Sequence, residues 1–587
     1  MQLYIGGGPL ALNGGAAPVT PPPGGQRPPG PPGYHLALGI TIPFPGCLAG
    51  ALACAQSAKR RFGDGLVVIG GGGYVNTELR DLKAGFDAFD YFVFDRGYGA
   101  LAALLDRLEA EESGAVYKTL CQSRRDGRFI KGPGIDGPAE DQALAPYAAL
   151  DREGARTVFP DYQGVDFSRY LYPLDDANPM HRLWSDGHWL KAYLAHGCYW
   201  RGCAFCDTAL DYIRAFEPVD PASLFNHLKA QAEQTGVRAV HLVDEAVPPA
   251  SLIRFAELNR AAGLPLIFWG NIRFDRAFNP DAAALLAAGG LIGVSGGIEV
   301  ASPQGFKRLG KGIDLADAVR VCAAFKEQGV LTHAYLIYGY WDESPQELID
   351  SVETLRQLFA AGLLDSAFWH KFVLTRHSRL YAEWRRGLHP GLRVLDSSPA
   401  GLPASFAPND LRFAGEEGFD RYTGPLDRLL AAWMAGDTTG TDRSNPAAWA
   451  FPFPLPRPQT PPDLVIQLLD KYARERDCFR AKPPAENQGR VLFLGGRPVL
   501  SRNAGGSRLA WRWHGEERRL CLAGGAALEQ GRALAALLEQ AGRSSAGALG
   551  FYEELRRLLG AAADDSWRRL RTQGLIYREQ IVDSVCP

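Results

Sequence analysis

The sequence predicts an α/β protein of several domains. A parallel, doubly wound sheet comes first, six strand–helix repeats forming a partial parallel barrel come next, and a small α+β domain ends the chain. Three observations carry this. The 587 residues exceed what one ordinary core accommodates. Short apolar strands alternate with amphipathic helices in two separate stretches, the signature of parallel sheets. Between 191 and 375 the alternation recurs six times at barrel spacing.

Composition narrows the partners. A net charge of −2 gives no electrostatic reason to expect nucleic acid or an anionic membrane. No apolar run reaches the roughly 18 to 20 residues of a spanning helix. Met1 to Ile5 lacks the charged start of a signal peptide, and three of ten cysteines cluster in a ligand-like loop, so a reducing cytoplasm is expected.

In chain order, residues 1–34 read as a flexible leader, because Gly, Pro and Ala bury too little apolar surface to order themselves. The first sheet domain spans 35–150. Its strands are expected at 35–42, 66–69 and 91–94, with helices at 47–61 and 99–111. A hairpin is expected around Asp126-Gly127. Residues 151–190 are a connector in which prolines oppose helix.

The repeats of 191–375 place strands at 191–195, 239–243, 264–273, 290–299, 330–338 and 365–374. Asp220-Pro221, Asn279-Pro280 and the capping box from Ser344 to Glu347 open helices between them. Residues 376–460 cap the barrel. Residues 461–587 form the α+β domain, with a small antiparallel strand set and helices suggesting a winged-helix-like module.

Chemistry concentrates in His196-Gly197-Cys198-Tyr199-Trp200-Arg201-Gly202-Cys203-Ala204-Phe205-Cys206. Three thiolates this close converge on one soft centre. An iron–sulfur cluster normally takes four cysteines, so three leave one iron open to a non-protein ligand. Gly197 and Gly202 are expected to let the backbone wrap an inorganic core. A zinc site in a non-catalytic protein, with His196 or His188 as fourth ligand, is the alternative.

The loop resembles that of radical S-adenosylmethionine enzymes, C-x3-C-x2-C with an aromatic before the last cysteine. Phe205 matches the aromatic, and the first gap is one residue longer. The resemblance implies a 4Fe-4S cluster on Cys198, Cys203 and Cys206. It also implies S-adenosylmethionine on the open iron, an electron donor such as flavodoxin or ferredoxin, and a small-molecule or peptide substrate. Reductive cleavage would give a 5′-deoxyadenosyl radical that abstracts hydrogen from an unactivated carbon.

Barrel chemistry gathers at the C-terminal ends of the strands. By the resemblance, Glu245 of Asp244-Glu245 is assigned to the cofactor's amino group, Glu299 to ribose or substrate and Gly339 to adenine; Asn271 and Arg273, after the third strand, are candidates for the ligand's carboxylate or the substrate. The first domain resembles the later, Rossmann-like half of a cobalamin-binding domain, in Ile69-Gly70-Gly71-Gly72-Gly73 and Asp90-Tyr91 to Gly97-Tyr98-Gly99. The axial-histidine motif is absent, and the domain's first two strands would fall in the Pro/Gly leader. Gly70 and Gly71 are the cobalamin candidates; the same run also reads as a plain strand-to-loop turn. With cobalamin the expected outcome is methylation. Without it, ring formation, rearrangement or carbon–carbon or carbon–sulfur bond formation is expected.

Overall fold

The computed structural model describes residues 3–5, 36–83, 85–110, 114–123, 125–137, 141–170, 187–395, 409–439, 445–484, 489–503, 505–524 and 526–579. It is a mixed α/β structure with two large sheets, and the chain divides into two compact units. One comprises Met1–Tyr170, Ala195–Asp220 and Phe372–Gly418. The other comprises Leu171–Leu194, Pro221–Lys371 and Phe419–Pro587.

The first unit holds a six-stranded sheet in the order β1 (Leu3–Ile5), β2 (Leu36–Thr41), β3 (Leu66–Gly71), β4 (Tyr91–Val93), β5 (Thr119–Gln122) and β6 (Phe129–Lys131). Strands β1 to β4 are parallel, whereas β5 and β6 pair antiparallel. The expected parallel sheet is therefore mixed, because the tight turn at Asp126-Gly127 is too short for a crossover. The expected leader begins with a strand, since Leu3–Ile5 pairs with Ala37–Gly39; its remainder, 6–35, lies outside the described residues.

The strands' period of two sorts the apolar side chains onto two faces. Val68 and Phe92 join one buried cluster, and Val67, Ile69 and Tyr91 the other. Helices Leu48–Phe62 and Tyr98–Glu109 match expectation. The glycine run does not make a loop: β3 continues to Gly71, and a helix, Gly73–Glu78, starts at once. Helix Ala145–Thr157 extends this unit into the expected connector.

In the second unit, β7 (Leu190–Ala192) begins a six-stranded all-parallel sheet. The hairpin β8 (Ala195–Gly197) and β9 (Phe216–Pro218) follows in the chain and belongs to the first unit. The sheet continues with β10 (Ala239–Leu242), β11 (Ile267–Ile272), β12 (Leu291–Glu299), β13 (Leu331–Tyr338) and β14 (Ser366–Lys371), each beside its predecessor. Helices Pro221–Thr235, Pro249–Ala261, Pro280–Ala288, Leu315–Lys326 and Pro345–Ala360 connect successive strands. Asn279 caps one, and Asp314 and Ser344 form complete capping boxes.

β15 (Leu374–Thr375) and β16 (Asp410–Leu411) pair in the first unit. The C-terminal strands make two sheets rather than one. β17 (Gly489–Phe493) lies between β21 (Ala546–Gly547) and β22 (Leu575–Glu579). The other runs β18 (Val499–Asn503), β19 (Gly506–Trp513), β20 (Glu516–Ala523). Both are antiparallel and share one core, including Phe493, Trp511, Leu534, Phe551 and Trp567, with helices Ala527–Arg543, Ala548–Leu559 and Ala563–Thr572. This module is fastened to helix Pro280–Ala288 by a buried pair 290 residues apart. Arg571 donates to both Asp281 oxygens at 2.9 and 2.7 Å, and the Tyr577 amide adds a third bond.

Candidate active site

The cysteine loop runs between β8 and β9, whose antiparallel register pairs Gly197 with Phe216. The single strand expected at 191–195 is broken, because the Leu194 amide turns to the buried Asp244 carboxylate, 3.0 Å from each oxygen. The two glycines serve the hairpin itself. Gly197 has φ +86°, and a Cβ there would lie 1.9 Å from the Ala215 carbonyl oxygen. A Cβ on Gly202 would lie 2.7 Å from the Trp200 indole nitrogen.

Cys198, Cys203 and Cys206 are outside any disulfide and each is partly exposed. A distant turn holds the last two in place. The amides of Arg379 and Leu380 donate to the carbonyls of Cys206 and Ala204 at 3.3 and 2.8 Å, and the Arg379 guanidinium donates to the Gly202 carbonyl. The next residue, Asp207, accepts from Thr375 and, at 2.9 Å, from the Asn409 amide nitrogen. The Asn409 amide in turn donates to Glu78 at 2.6 Å. Burial raises the Glu78 carboxyl to about 7, against the pull of that amide.

His196 lies in an ionic network. Its Nε2 is 3.0 Å from Asp211, which also accepts from Arg96 at 2.9 Å. Burial works to raise the Asp211 carboxyl, but His196 and Arg96 outweigh it and hold it well below the usual carboxylate range. Among the described residues no group of three or more His, Cys, Asp or Glu is set to hold a metal ion.

In the second unit, the predicted residues lie at the ends of successive strands. Asp244 is buried while Glu245 is exposed. Asn271 donates to the Asp244 carbonyl at 3.1 Å and accepts from Ser295 at 2.5 Å. Buried Arg273 donates to the Lys311 carbonyl at 2.9 Å, and the Lys311 ammonium donates to Glu299 at 2.7 Å, both groups buried. Glu299 has φ +63°, at a register shift between β12 and β13. A non-glycine residue there carries roughly 1–3 kcal/mol of strain, held by the surroundings. Gly339 has φ +80°; a Cβ would meet Phe419 at 3.1 Å, and its amide donates to Glu343 at 2.6 Å. Burial pushes the Glu343 carboxyl up to about 7, against that donor.

Sequence reasoning missed Lys311, which periodicity cannot tie to a strand end twelve residues away. It also missed Lys191 and His241, paired at 2.7 Å on the same pleat as Asn271, with His241 stacked on Trp269 at 3.6 Å. Burial and the neighbouring Lys191 bring His241 down to about 3, so it is neutral.

The cobalamin candidates are spoken for by packing. A Cβ on Gly70 would lie 2.5 Å from the Phe92 ring, on Gly72 2.8 Å from the Ile42 carbonyl oxygen, and on Gly99 2.0 Å from that of Tyr147. Only Gly71 of these would accept one at ordinary contact, 3.7 Å from the Val93 oxygen. These glycines form no cradle that a Cβ would fill, so they do not mark a fit to cobalamin.

No family model matches the chain. It is 23% identical over 293 residues to an uncharacterized methyltransferase of Pyrococcus horikoshii, covering 48% of this chain and 61% of that protein. It is 25% identical over 293 residues to the anaerobic magnesium-protoporphyrin IX monomethyl ester cyclase of Rubrivivax gelatinosus, covering 48% of this chain and 49% of that one. The chain thus spans about half to three-fifths of these relatives' length. Among solved structures it is similar to the radical S-adenosylmethionine methyltransferase TsrM of Kitasatospora setae, with tryptophan and an S-adenosylmethionine analogue bound. Identity is 17%, the TM-score 0.47, and coverage 68% of this chain and 78% of that one.

Proposed function

We propose that this chain is a radical S-adenosylmethionine enzyme that modifies an unactivated carbon of a natural-product or peptide substrate. The supporting observation is the cysteine loop: three cysteines within nine residues, none in a disulfide, with the carbonyls of 202, 204 and 206 bound by one turn at 379–380. The three thiols are not gathered for a metal in this structure; at this spacing they would close on a 4Fe-4S cluster as it binds, with one iron left for S-adenosylmethionine. Together these cofactors supply a carbon-centred radical when bound and reduced.

The chain's part is to bind and orient. Six sequential parallel strands support a partial (β/α)6 barrel. In it Glu245 would take the amino group, Arg273 the carboxylate or the substrate, Gly339 the adenine, and Glu299 with Lys311 the ribose or substrate, while Phe205 stays with the cluster loop. Asp244 positions the chain entering the loop through Leu194. The Pyrococcus relative's description favours methylation and the Rubrivivax relative's favours ring closure, so carbon modification is the level at which the two agree.

Anaerobic reconstitution tests this. The expected product is a brown protein with about four irons per chain that cleaves S-adenosylmethionine under a flavodoxin-type donor, and Cys203→Ala removes both iron and cleavage. One zinc per chain with no iron uptake would sink it. Stoichiometric corrinoid retention, measured separately, decides for cobalamin-dependent methylation; its absence decides for chemistry without cobalamin.

A further inference from the structure

Charge is divided unevenly along this chain. Residues 489–579 contain fifteen arginines, no lysine and nine acidic residues, a net +6, so the remainder carries −8. Much of the arginine is spent internally: Arg571 on Asp281, Arg578 on Glu257, Arg490 on the Ser545 carbonyl, and Arg497 and Arg543 on Glu539.

Seven of the fifteen have no side-chain hydrogen bond or ion pair among the described residues, and the strand register places three of these together. β19 turns Ser507, Leu509 and Trp511 inward, so Arg508, Ala510 and Arg512 face out. Arg519 of β20 stands opposite Ala510, Cys521 opposite Arg508 and Glu517 opposite Arg512; Val499 of β18 flanks Ala510 on the other side. Arg519 is therefore diagonal to both other arginines, at about 7–8 Å. None of the three side chains has a hydrogen-bond or ion-pair partner among the described residues. At the centre lies Val499, 63% exposed, with Ala510.

Like charges this close on one sheet face repel one another, so the fold carries the arrangement at a cost. An external anion removes that cost. The apolar centre selects its kind. A phosphate backbone gains nothing from Val499, whereas an extended polypeptide bearing acidic residues around an apolar one meets both the arginines and the apolar centre.

We propose that the outer face of β18–β20, built by Arg508, Arg512 and Arg519 around Val499 and Ala510, docks an acidic polypeptide segment. It uses none of the cysteine-loop residues and needs no cofactor, so its failure and that of the enzymatic reading are separable.

The test uses the full chain and a fluorescent peptide of about twenty residues, rich in Asp and Glu with leucine at intervals. An uncharged Asn/Gln version and single-stranded DNA of equal charge serve as comparisons, and binding is read by anisotropy. Expected are saturable binding of the acidic peptide, weakening with salt, and at least tenfold loss in Arg508→Ser/Arg519→Ser. Arg543→Ser, outside the face, should stay within about twofold. A thermal melt of each variant checks folding, and Val499→Ser, which leaves charge untouched, should weaken binding about threefold or more. The proposal is overturned by no saturable peptide binding, by equal loss in Arg543→Ser, or by DNA binding as tight as peptide with the same arginine dependence.

Discussion

The molecule's two large sheets follow the same strand–helix grammar and end their strands differently. In the first, the residues beyond β3 and β4 are consumed by the unit's own packing. Asn76 accepts the Asp95 amide, Arg80 pairs with Asp95 and reaches the Ile135 carbonyl, and Gly70 and Gly72 admit Phe92 and Ile42. In the second, the ends of β11 and β12 carry Arg273 and Glu299, joined through Lys311. Both strand ends hold a buried acid in the left-handed region with its cations, Asp95 with Arg80 and Lys118 in the first and Glu299 with Lys311 in the second. The difference is that glycines close the first against ring and backbone atoms.

Three substitutions probe that contrast. The largest stability effect is expected for Glu299→Gln, which leaves the Lys311 ammonium buried without its carboxylate. A loss of about 3–5 kcal/mol in denaturant unfolding is expected, largely restored in Glu299→Gln/Lys311→Met. An exposed, dispensable pair would lose under about 1 kcal/mol.

Glu343 comes next. Its folded carboxyl sits near 7 against an ordinary 4.5, chiefly through burial, so the folded state binds the proton more tightly. Stability is therefore greatest below the unfolded value and falls as pH rises from about 4.5 to 7, by roughly 3 kcal/mol. Denaturant midpoints at pH 5 and 8 check it; Glu343→Gln should flatten that dependence except for the part due to Glu78, which shifts the same way.

The smallest effect separates neighbours in the glycine run. Gly70→Ala pushes a methyl into Phe92 and should cost about 1–3 kcal/mol. Gly71→Ala meets only ordinary contact and should change stability by less than about 1 kcal/mol. Equal melting temperatures would erase the distinction.

What the sequence disclosed follows from range. The cysteine spacing, the Ser344 capping box and the barrel-like repeats are local patterns, readable within a few turns of chain. The sequence favoured Glu245 over Asp244 as a ligand, and both lie at the strand end. That Asp244 fastens Leu194 depends on a contact fifty residues away. Lys311 beneath Glu299, and Asp281 awaiting Arg571, are choices of tertiary packing with no local signature. Gly70 shows the converse: a glycine that reads as cofactor room or turn is required by a neighbouring ring.

The turn that grips the cysteine loop also sets a schedule. Gly202 finds Arg379 177 residues later, and Asp207 finds Asn409 202 residues later. At synthesis rates of about 5–20 residues per second, the cysteines are made roughly ten to forty seconds before their last anchor. During that interval the nascent loop has its thiols but not its clasp, so thiol chemistry meets a looser loop on the ribosome than in the finished protein.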